Sequence, residues 1–156
     1  MSDNLSIREY TREDSATVLE LHKRGLEETE SYVNDKRLDA DLHDVEGTYL
    51  NDKGEFLIAT IDNEIVGMGA LRRVNEETAE VKRMRVSTKY QGKGIGSLIL
   101  DRLIEKARQY GYRKLVLDTT AKQIAAQKLY QKRGFEEVTR KTIAGQNCIF
   151  YEMKLD

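Results

Sequence analysis

Three glycines at alternate positions, Gly92, Gly94 and Gly96, separate an apolar segment over 78–86 from an amphipathic segment over 95–110. The spacing of apolar residues predicts a strand for the first segment and a helix for the second. Glycines at such a turn let the backbone approach a ligand closely, and the first amides of a helix have no partner within it. Because these amides and the helix dipole favour phosphate, the stretch predicts a phosphate-bearing ligand at this turn.

The rest of the chain extends this unit to a mixed α/β fold. The predicted elements are a strand over 4–10, helices over 12–28 and 36–46, strands over 56–61, 65–71 and 78–86, a helix over 95–110, a strand over 114–118, a helix from about 120 to 132, and strands over 136–141 and 147–155. A helix joins the strands 78–86 and 114–118, so we expect these two strands to pair in parallel. With no repeat, linker or low-complexity segment, residues 1–156 are expected to form a single domain.

Local capping signals support two of the helix starts. Thr11-Arg12-Glu13-Asp14 resembles a capping box at the first helix, and Thr120 and Gln123 have the same spacing before the last one. Gly47 and Gly111 are expected to end the helices over 36–46 and 95–110, and Asp62-Asn63 is expected to form a hairpin turn. The chain contains no proline, so its turns must be made by Gly, Asn and Asp.

Composition excludes several classes of protein. One cysteine rules out an internal disulfide framework, and neither a signal peptide nor an apolar run of about 20 residues is visible, so a cytoplasmic protein without a membrane span is expected. The basic residues are scattered, which argues against nucleic-acid binding. His22 and His43 lie on predicted helices at unlinked spacing, and we therefore expect no metal site.

Charge is distributed unevenly along the chain. Residues 1–70 contain 17 acidic and 7 basic side chains, whereas residues 71–156 contain 10 acidic and 19 basic ones. The difference favours an anionic ligand on the C-terminal half and a cationic ligand facing the N-terminal half. The alternative is a pair of solvated surfaces with no specific partner.

Two common phosphate-binding motifs fit the glycine stretch poorly. A Walker loop requires lysine before its Ser/Thr, and here Gly96 precedes Ser97. A dinucleotide fingerprint, Gly-x-Gly-x-x-Gly, would have its third glycine at Ser97, although Asp118 stands at about the distance of the ribose-binding acid. This second motif also normally opens a fold, whereas here it follows several antiparallel strands. A nucleotide-binding oxidoreductase therefore remains only as an alternative.

A third pattern, Gln/Arg-x-x-Gly-x-Gly/Ala, is satisfied by all of Gln91–Gly96. Downstream, residues 126–135 (AQKLYQKRGF) are similar to a second signature, Asn-x-x-Ala-x-x-Leu-Tyr-x-x-x-Gly-Phe. On these two motifs and their spacing the chain resembles the GNAT (Gcn5-related) superfamily of N-acetyltransferases. The resemblance implies a central, mostly antiparallel mixed sheet of about six to seven strands, splayed between the fourth and fifth, with helices on both faces. Thr88 stands where the family often has proline, and Gln123 where it usually has asparagine.

The resemblance implies acetyl-coenzyme A as the acetyl donor, with no metal. The glycine stretch would bind its pyrophosphate, and the strand before it would pair with the pantetheine arm. The residues implied for donor binding are Met84, Arg85, Val86, Gln91, Gly92, Lys93, Gly94, Ile95, Gly96, Ser97, Gln123 and Tyr130. For Gln123 a purely structural role in the capping box with Thr120 is an equal alternative.

The resemblance also implies a general base and a general acid. A protonated acceptor amine must lose a proton before or during attack, so the reaction needs a general base. Glu80 is our candidate for this base. The alternation of Glu80, Lys82, Met84 and Val86 would place it on the apolar side of the strand, and the alternative is a solvent-facing residue. Asp118 is the reserve candidate.

Tyr130 is the candidate acid that protonates the leaving thiolate, and its alternative role is that of a buried aromatic side chain. Acetyl transfer through Cys148 is a remote alternative, since a lone cysteine in a terminal strand is usually a small core residue.

The predicted function is transfer of an acetyl group to a primary amine of a small molecule or peptide by direct attack in a ternary complex. A module of the same fold that senses acetyl-coenzyme A without turnover is the main alternative. The acidic balance of residues 1–70, which include Asp39, Asp41, Asp44 and Glu46, leans towards a cationic acceptor such as a polyamine, an aminoglycoside or a lysine. A homodimer is possible, although no stretch of the sequence specifies one.

Overall fold

A computed structural model of the protein describes residues 4–28 and 39–155. Within these two ranges, seven strands form one sheet in the order β1-β2-β3-β4-β5-β7-β6, and three α-helices pack on it. The elements are β1 Leu5–Glu9, α1 Ser15–Glu27, β2 Glu55–Ile61, β3 Glu64–Arg73, β4 Thr78–Val86, α2 Ile95–Gln109, β5 Lys114–Thr120, α3 Ile124–Lys132, β6 Glu136–Ile143 and β7 Gln146–Lys154. Neighbouring strands are antiparallel except β4 and β5, which are parallel as predicted. The mixed, mostly antiparallel sheet is therefore confirmed.

The two faces of the sheet carry separate apolar clusters. On β2, Leu57 and Ala59 pack with α2, whereas Phe56 and Ile58 pack with Val18 of α1 on the other face. This alternation is the period-2 pattern of a strand that is buried on both sides. The sheet thus has helices on both faces, as expected.

The predicted helix over 36–46 is wrong where the structure describes it. Ala40–His43 form a single 3₁₀ turn and Glu46–Leu50 a single π turn, with Gly47 inside that turn rather than at a helix end. Asp44 explains part of the difference, because its carboxylate accepts a hydrogen bond from the Gly47 amide at 3.1 Å. Short polar side chains that bond to nearby backbone in this way compete with a regular helix. Residues 36–38 lie outside the described residues.

The capping signals have different outcomes. At the first helix the carboxylate of Asp14 accepts a hydrogen bond from the Thr11 amide at 2.8 Å, so this capping box is confirmed. The second one is wrong, because Thr120 is still the last residue of β5 and α3 begins only after Gln123. The side-chain amide of Gln127 instead donates to the carbonyl groups of Thr120 and Ala121, at 3.3 and 3.0 Å.

Two predicted turn features are confirmed. Asp62 and Asn63 have φ values of 50° and 68°, the backbone of a two-residue hairpin turn between β2 and β3. Gly111 follows the end of α2 with φ 87°, as a glycine C-terminal cap does.

The sheet opens between its two parallel strands. Their ladder joins Thr78 to Lys114, Ala79 to Leu115 and Glu80 to Val116, and within the described residues it extends no further. Beyond Glu80 the two strands diverge, although both continue for several residues. A cleft therefore starts at Glu80.

A β-bulge changes which way the side chains of β4 point. The ladder with β3 slips between Met68 and Ala70, and Arg83 has a positive φ of 59°. As a result, Val81 before the bulge and Met84 after it both pack in the cluster that contains α2. An uninterrupted strand would place these two side chains on opposite faces.

The predicted alternation along β4 is therefore wrong. Glu80 lies next to Val81 in regular strand and so points away from α2, whereas Met84 and Val86 pack towards it. Glu80 shares its face with Arg72, with which it forms an ion pair, and this is the face that α1 covers. The bulge adds Arg83 to the same face, because its guanidinium reaches Asp41 there.

Candidate active site

The glycine loop forms the first part of the site, at the start of α2. Gly92 and Gly94 have φ values of 76° and 83°, a conformation that side-chain-bearing residues rarely adopt. Gly94 is the N-terminal cap of α2, so the following amides of the helix point into the loop. The side-chain amide of Gln91 donates to the Val86 carbonyl at 3.0 Å and ties the loop to the end of β4.

Side chains around the loop hold its shape and give it positive charge. The ammonium groups of Lys89 and Lys93 lie 5.4 and 5.8 Å from the ring centre of Tyr90. The hydroxyl of Thr88 donates to the carboxylate of Glu28 at the end of α1. The loop, β4 and α3 together line a groove of about 490 Å³.

A second cavity of about 230 Å³ lies on the α1 side of the opening between β4 and β5. Its walls include Glu80, Asp118 and Cys148. Four residues line both this cavity and the groove, namely Met84, Arg85, Gln123 and Tyr130. The two spaces therefore meet at these four residues.

Two carboxylates stand at the closed end of the cleft. Glu80 is the last residue of β4 that pairs with β5. Its side chain is 17% exposed and accepts a hydrogen bond from Arg72 at 3.0 Å. Asp118 lies on β5 two residues beyond the end of the parallel ladder. Desolvation, followed by repulsion from Glu80, raises the pKa of the Asp118 carboxyl. A raised pKa suits a group that has to take up a proton near neutral pH.

Tyr130 lies where the groove and the cavity meet. Its ring is 5% exposed and packs against Phe135 and Tyr151, with ring centres 5.9 and 6.2 Å away. Its hydroxyl makes no hydrogen bond to any residue in the described part of the chain. Burial raises the pKa of Tyr130 to about 12, although the positive charge of Arg85 acts in the opposite direction. The side chain thus has a fixed ring and a protonated hydroxyl that is open to a ligand.

Comparison with known proteins identifies the family. A family model described as the acetyltransferase (GNAT) family matches residues 16–135. The chain belongs to this family. The match includes the glycine loop, Tyr130 and both strands that bound the cleft.

Individual relatives and structures agree with this assignment. An N-acetylaspartate synthetase of Rattus norvegicus is 38% identical over 103 residues, which are 65% of this chain and 34% of that protein. A GNAT-family acetyltransferase structure from Staphylococcus aureus Mu50 is 28% identical, covers 97% of this chain and 99% of its own, and superposes with a TM-score of 0.89. One from Elizabethkingia anophelis with acetyl-CoA bound is 27% identical, with 98% and 99% coverage and a TM-score of 0.73. This chain spans only about a third of the length of the curated N-acetylaspartate synthetase.

A buried polar network below the cavity was not predicted from the sequence. The guanidinium of Arg83 binds both carboxylate oxygens of Asp41, at 2.9 and 2.5 Å, and the hydroxyl of Tyr49 donates to the same carboxylate. Burial and the Asp41 carboxylate raise the pKa of Tyr49, so its hydroxyl stays protonated. The only sequence signal was the run of acidic residues near position 40, which we interpreted as a surface facing a cationic ligand.

His22 of α1 joins this network in its neutral form. The side chain is buried, and its Nε2 lies 2.9 Å from a carboxylate oxygen of Asp39. Its Nδ1 lies 3.4 Å from an Nη atom of Arg85, a group that can only donate. Desolvation and the positive charges of Arg85 and Arg83 lower the pKa of His22 to about 4. Nε2 also lies 3.3 Å from an Nη atom of Arg83, but its contact with Asp39 is shorter. We therefore assign the proton to Nε2, which donates to Asp39, while Nδ1 accepts from Arg85.

Two further residues that the sequence singled out, Cys148 and Gln123, lie at the wall of the cavity. Cys148 is buried at the cavity wall with its Sγ 3.7 Å from the Gln146 carbonyl, and burial raises the pKa of the thiol, which disfavours a nucleophilic thiolate. Gln123 precedes α3 and lines both the groove and the cavity.

Across residues 4–28 and 39–155, no group of His, Cys, Asp or Glu side chains has the arrangement of a metal site. Within the same ranges no helix is long and apolar enough to cross a membrane.

Proposed function

We propose that this protein is an acetyl-coenzyme A-dependent N-acetyltransferase that acts on a primary amine. The observation that carries the proposal is the position of Tyr130. Its unbonded hydroxyl lies where the groove of the glycine loop meets the cavity that contains Glu80 and Asp118. A donor in the groove and an acceptor in the cavity would therefore meet at a group that can supply a proton.

The donor would lie along the groove. The pyrophosphate of acetyl-coenzyme A would accept hydrogen bonds from the loop and helix amides of Gln91–Ser97, with Lys93 nearby as a positive charge. The pantetheine arm would extend along Met84–Val86, where β4 has separated from β5. The acetyl-coenzyme A bound to the E. anophelis relative supports this assignment. Gln123, which faces both spaces, would contact the donor near the thioester.

The reaction requires three proton transfers around one acyl transfer. The acceptor ammonium gives a proton to Glu80 or Asp118, directly or through water, and the free amine attacks the thioester carbonyl carbon. A new C–N bond forms, the nitrogen of the tetrahedral intermediate loses its second proton to water, and the intermediate collapses as the C–S bond breaks with its electron pair on sulfur. Tyr130 then gives its proton to the coenzyme A thiolate and is reprotonated from solvent. Backbone amides along β4 can stabilise the oxyanion of the intermediate.

The acceptor is a small molecule or a peptide end, since the cavity of about 230 Å³ lies below the roughly 300–1,000 Å³ of pockets for drug-sized ligands. Curated relatives are named N-acetylaspartate synthetase, which makes L-aspartate one candidate to test. Those names describe longer proteins, so the acceptor has to be identified by experiment.

Two measurements test the proposal. Acetyl-coenzyme A should raise the melting temperature of the protein, since a ligand that binds only the folded state stabilises it by mass action, whereas NAD should not. A panel of amines, amino acids and short peptides should then include at least one compound that releases free coenzyme A thiol. The absence of any thermal shift would refute donor binding. A shift without thiol release from any compound would instead support the acetyl-coenzyme A sensor.

A further inference from the structure

Arg85 is a partly buried cation that forms no ion pair within the described part of the chain. A guanidinium has five N–H donors, and the structure gives this one two acceptors, the Met84 carbonyl at 2.7 Å and Nδ1 of His22 at 3.4 Å. Its Nε is buried and has no partner. Among residues 4–28 and 39–155 no carboxylate forms an ion pair with it. Burial lowers the pKa of Arg85 to about 10, which leaves it charged at neutral pH.

Arg83, two residues earlier on the same strand, shows how this protein otherwise neutralises a buried arginine. Its guanidinium is held by both oxygens of Asp41 and lies 3.8 Å from Asp39. Removing a charge from water is unfavourable unless a counter-charge is present. No residue in the described part of the chain forms an ion pair with Arg85, so a bound ligand is left to supply that counter-charge.

The surroundings of Arg85 keep it at the cleft rather than in the core. Gly25 of α1 leaves room for its side chain, because a Cβ at that position would lie 2.7 Å from the Cδ of Arg85. Arg85 lines both the groove and the cavity, and its charge acts on the hydroxyl of Tyr130. The guanidinium thus lies beside the point where acyl transfer would occur.

The cavity therefore contains charges of both signs at different places. At the closed end of the cleft, Asp118 attracts an ammonium group, and so does the second carboxylate oxygen of Glu80, whose first oxygen accepts a hydrogen bond from Arg72. Arg85, where the cavity meets the groove, attracts an anion. A molecule that carries an amine and an acid group close together would be bound at both of these places.

We propose that Arg85 binds a carboxylate of the acceptor, so that the substrate class is an amino acid or another small amine bearing a carboxylate. This inference rests on the proposed acetyltransferase function. Planar guanidinium matches carboxylate geometry and can form two parallel hydrogen bonds with it. The acidic run of residues 39–44 does not favour a cationic acceptor, because Asp39 and Asp41 are already bonded to His22 and Arg83.

Matched substrates test the inference without any mutation. L-Phenylalanine and L-lysine are each compared with their α-carboxamide, and L-aspartate with its diamide, which keeps the shape and removes every carboxylate charge. The amide has the more easily deprotonated amine, so chemistry alone would favour it. We expect kcat/KM, measured by thiol release, to be at least tenfold higher for the preferred acid than for its amide. Equal values, or a preference for the amide, would overturn the inference and leave the proposed function standing.

Arg85→Gln then tests the residue. We expect kcat/KM for the preferred acid to fall about a hundredfold, as the loss of charge-assisted hydrogen bonds implies, and that for the amide to fall at least tenfold less, because the loss of the Arg85 charge beside Tyr130 affects both compounds alike. Arg73→Gln, which removes an arginine paired with Asp52 away from the cleft, is the matched control and should change neither value. Equal losses for acid and amide in Arg85→Gln would overturn the inference, since Arg85 would then act on the thioester. The thermal shift with acetyl-coenzyme A verifies that each variant is folded.

A binding measurement separates failure of the inference from failure of the proposed function. Calorimetry with the preferred acid and its amide is done on the protein saturated with coenzyme A, which cannot react. Selective binding of an acid without turnover of any compound would sustain the carboxylate site and refute the acetyltransferase function. Neither turnover nor selective binding of any acid would refute both.

Discussion

The groove and the cavity, which we propose to be the donor half and the acceptor half of the cleft, are built in different ways. The donor half consists largely of consecutive residues, Gln91–Ser97, whose backbone amides follow from two positive-φ glycines and a helix start. The acceptor half is made of side chains from α1, β4 and β5 and from the turn at Asp39–Asp41. Backbone sites of the first kind are set by local sequence, whereas the second kind depends on which distant side chains the fold brings together. The two halves should therefore respond differently to substitution.

The largest effect is expected in the acceptor half, from Asp41→Asn. This change leaves the buried guanidinium of Arg83 without its bidentate partner, and breaking a buried ion pair in this way costs about 3–5 kcal/mol. Urea unfolding measures the free energy of unfolding. Asp52→Asn, which breaks an exposed pair with Arg73, is the control and should cost less than about 1 kcal/mol. Equal losses in the free energy of unfolding would show that the buried Asp41–Arg83 pair stabilises the fold no more than the exposed Asp52–Arg73 pair does.

Tyr130→Phe tests the junction of the two halves. The ring packing should persist, and only the proton donor is lost, so we expect turnover to fall about a hundredfold, at the low end of general acid catalysis. The affinity for acetyl-coenzyme A, measured by calorimetry, should stay within about twofold of the wild-type value. Unchanged turnover would assign Tyr130 to packing alone.

Glu80→Gln should lower turnover about thirtyfold at pH 7, because the acceptor amine then loses its proton less readily. The loss should shrink as the pH rises towards the pKa of the amine, which deprotonates without help there. Asp118→Asn is the comparison, and the carboxylate whose removal gives the larger pH-dependent loss is the base. A pH–rate profile that neither substitution changes would exclude both residues.

Gly94→Ala tests the donor half. The added Cβ meets no neighbouring atom, but its φ of 83° costs an alanine about 1–2 kcal/mol, so the loop should relax and bind acetyl-coenzyme A about tenfold more weakly. Gly145→Ala puts the same strain into the hairpin between β6 and β7, at φ 78°. Its donor affinity should match that of the wild type. If both variants bind the donor normally, the conformation at Gly94 is not required.

The sequence predicted the glycine loop and the start of α2 because their signal is contiguous. Gln91–Gly96 and the segment around Tyr130 each lie within a few consecutive residues, and the order of strands followed from apolar periodicity. Most of the side-chain arrangement in the acceptor half could not be predicted from the sequence. The bulge at Arg83 reverses the alternation of β4, and a register slip of this kind depends on pairing with β3 that no local pattern records. The partners of Asp39 and Asp41 are likewise distant in sequence. We therefore interpreted these acidic residues as a surface facing a cationic ligand, although both are bonded within the buried network.

The bulge at Arg83 also has a consequence for the order of folding. Asp41 lies 42 residues from Arg83 along the chain, and His22 lies 63 residues from Arg85. Contacts between residues so distant in sequence carry a loop-closure cost that must be met before they can form, whereas the turn into α2 forms locally. We therefore expect the glycine loop and α2 to be structured early, and the arginines of β4 to find their partners only once α1 has docked. In such a sequence of events the polar network completes folding rather than starting it.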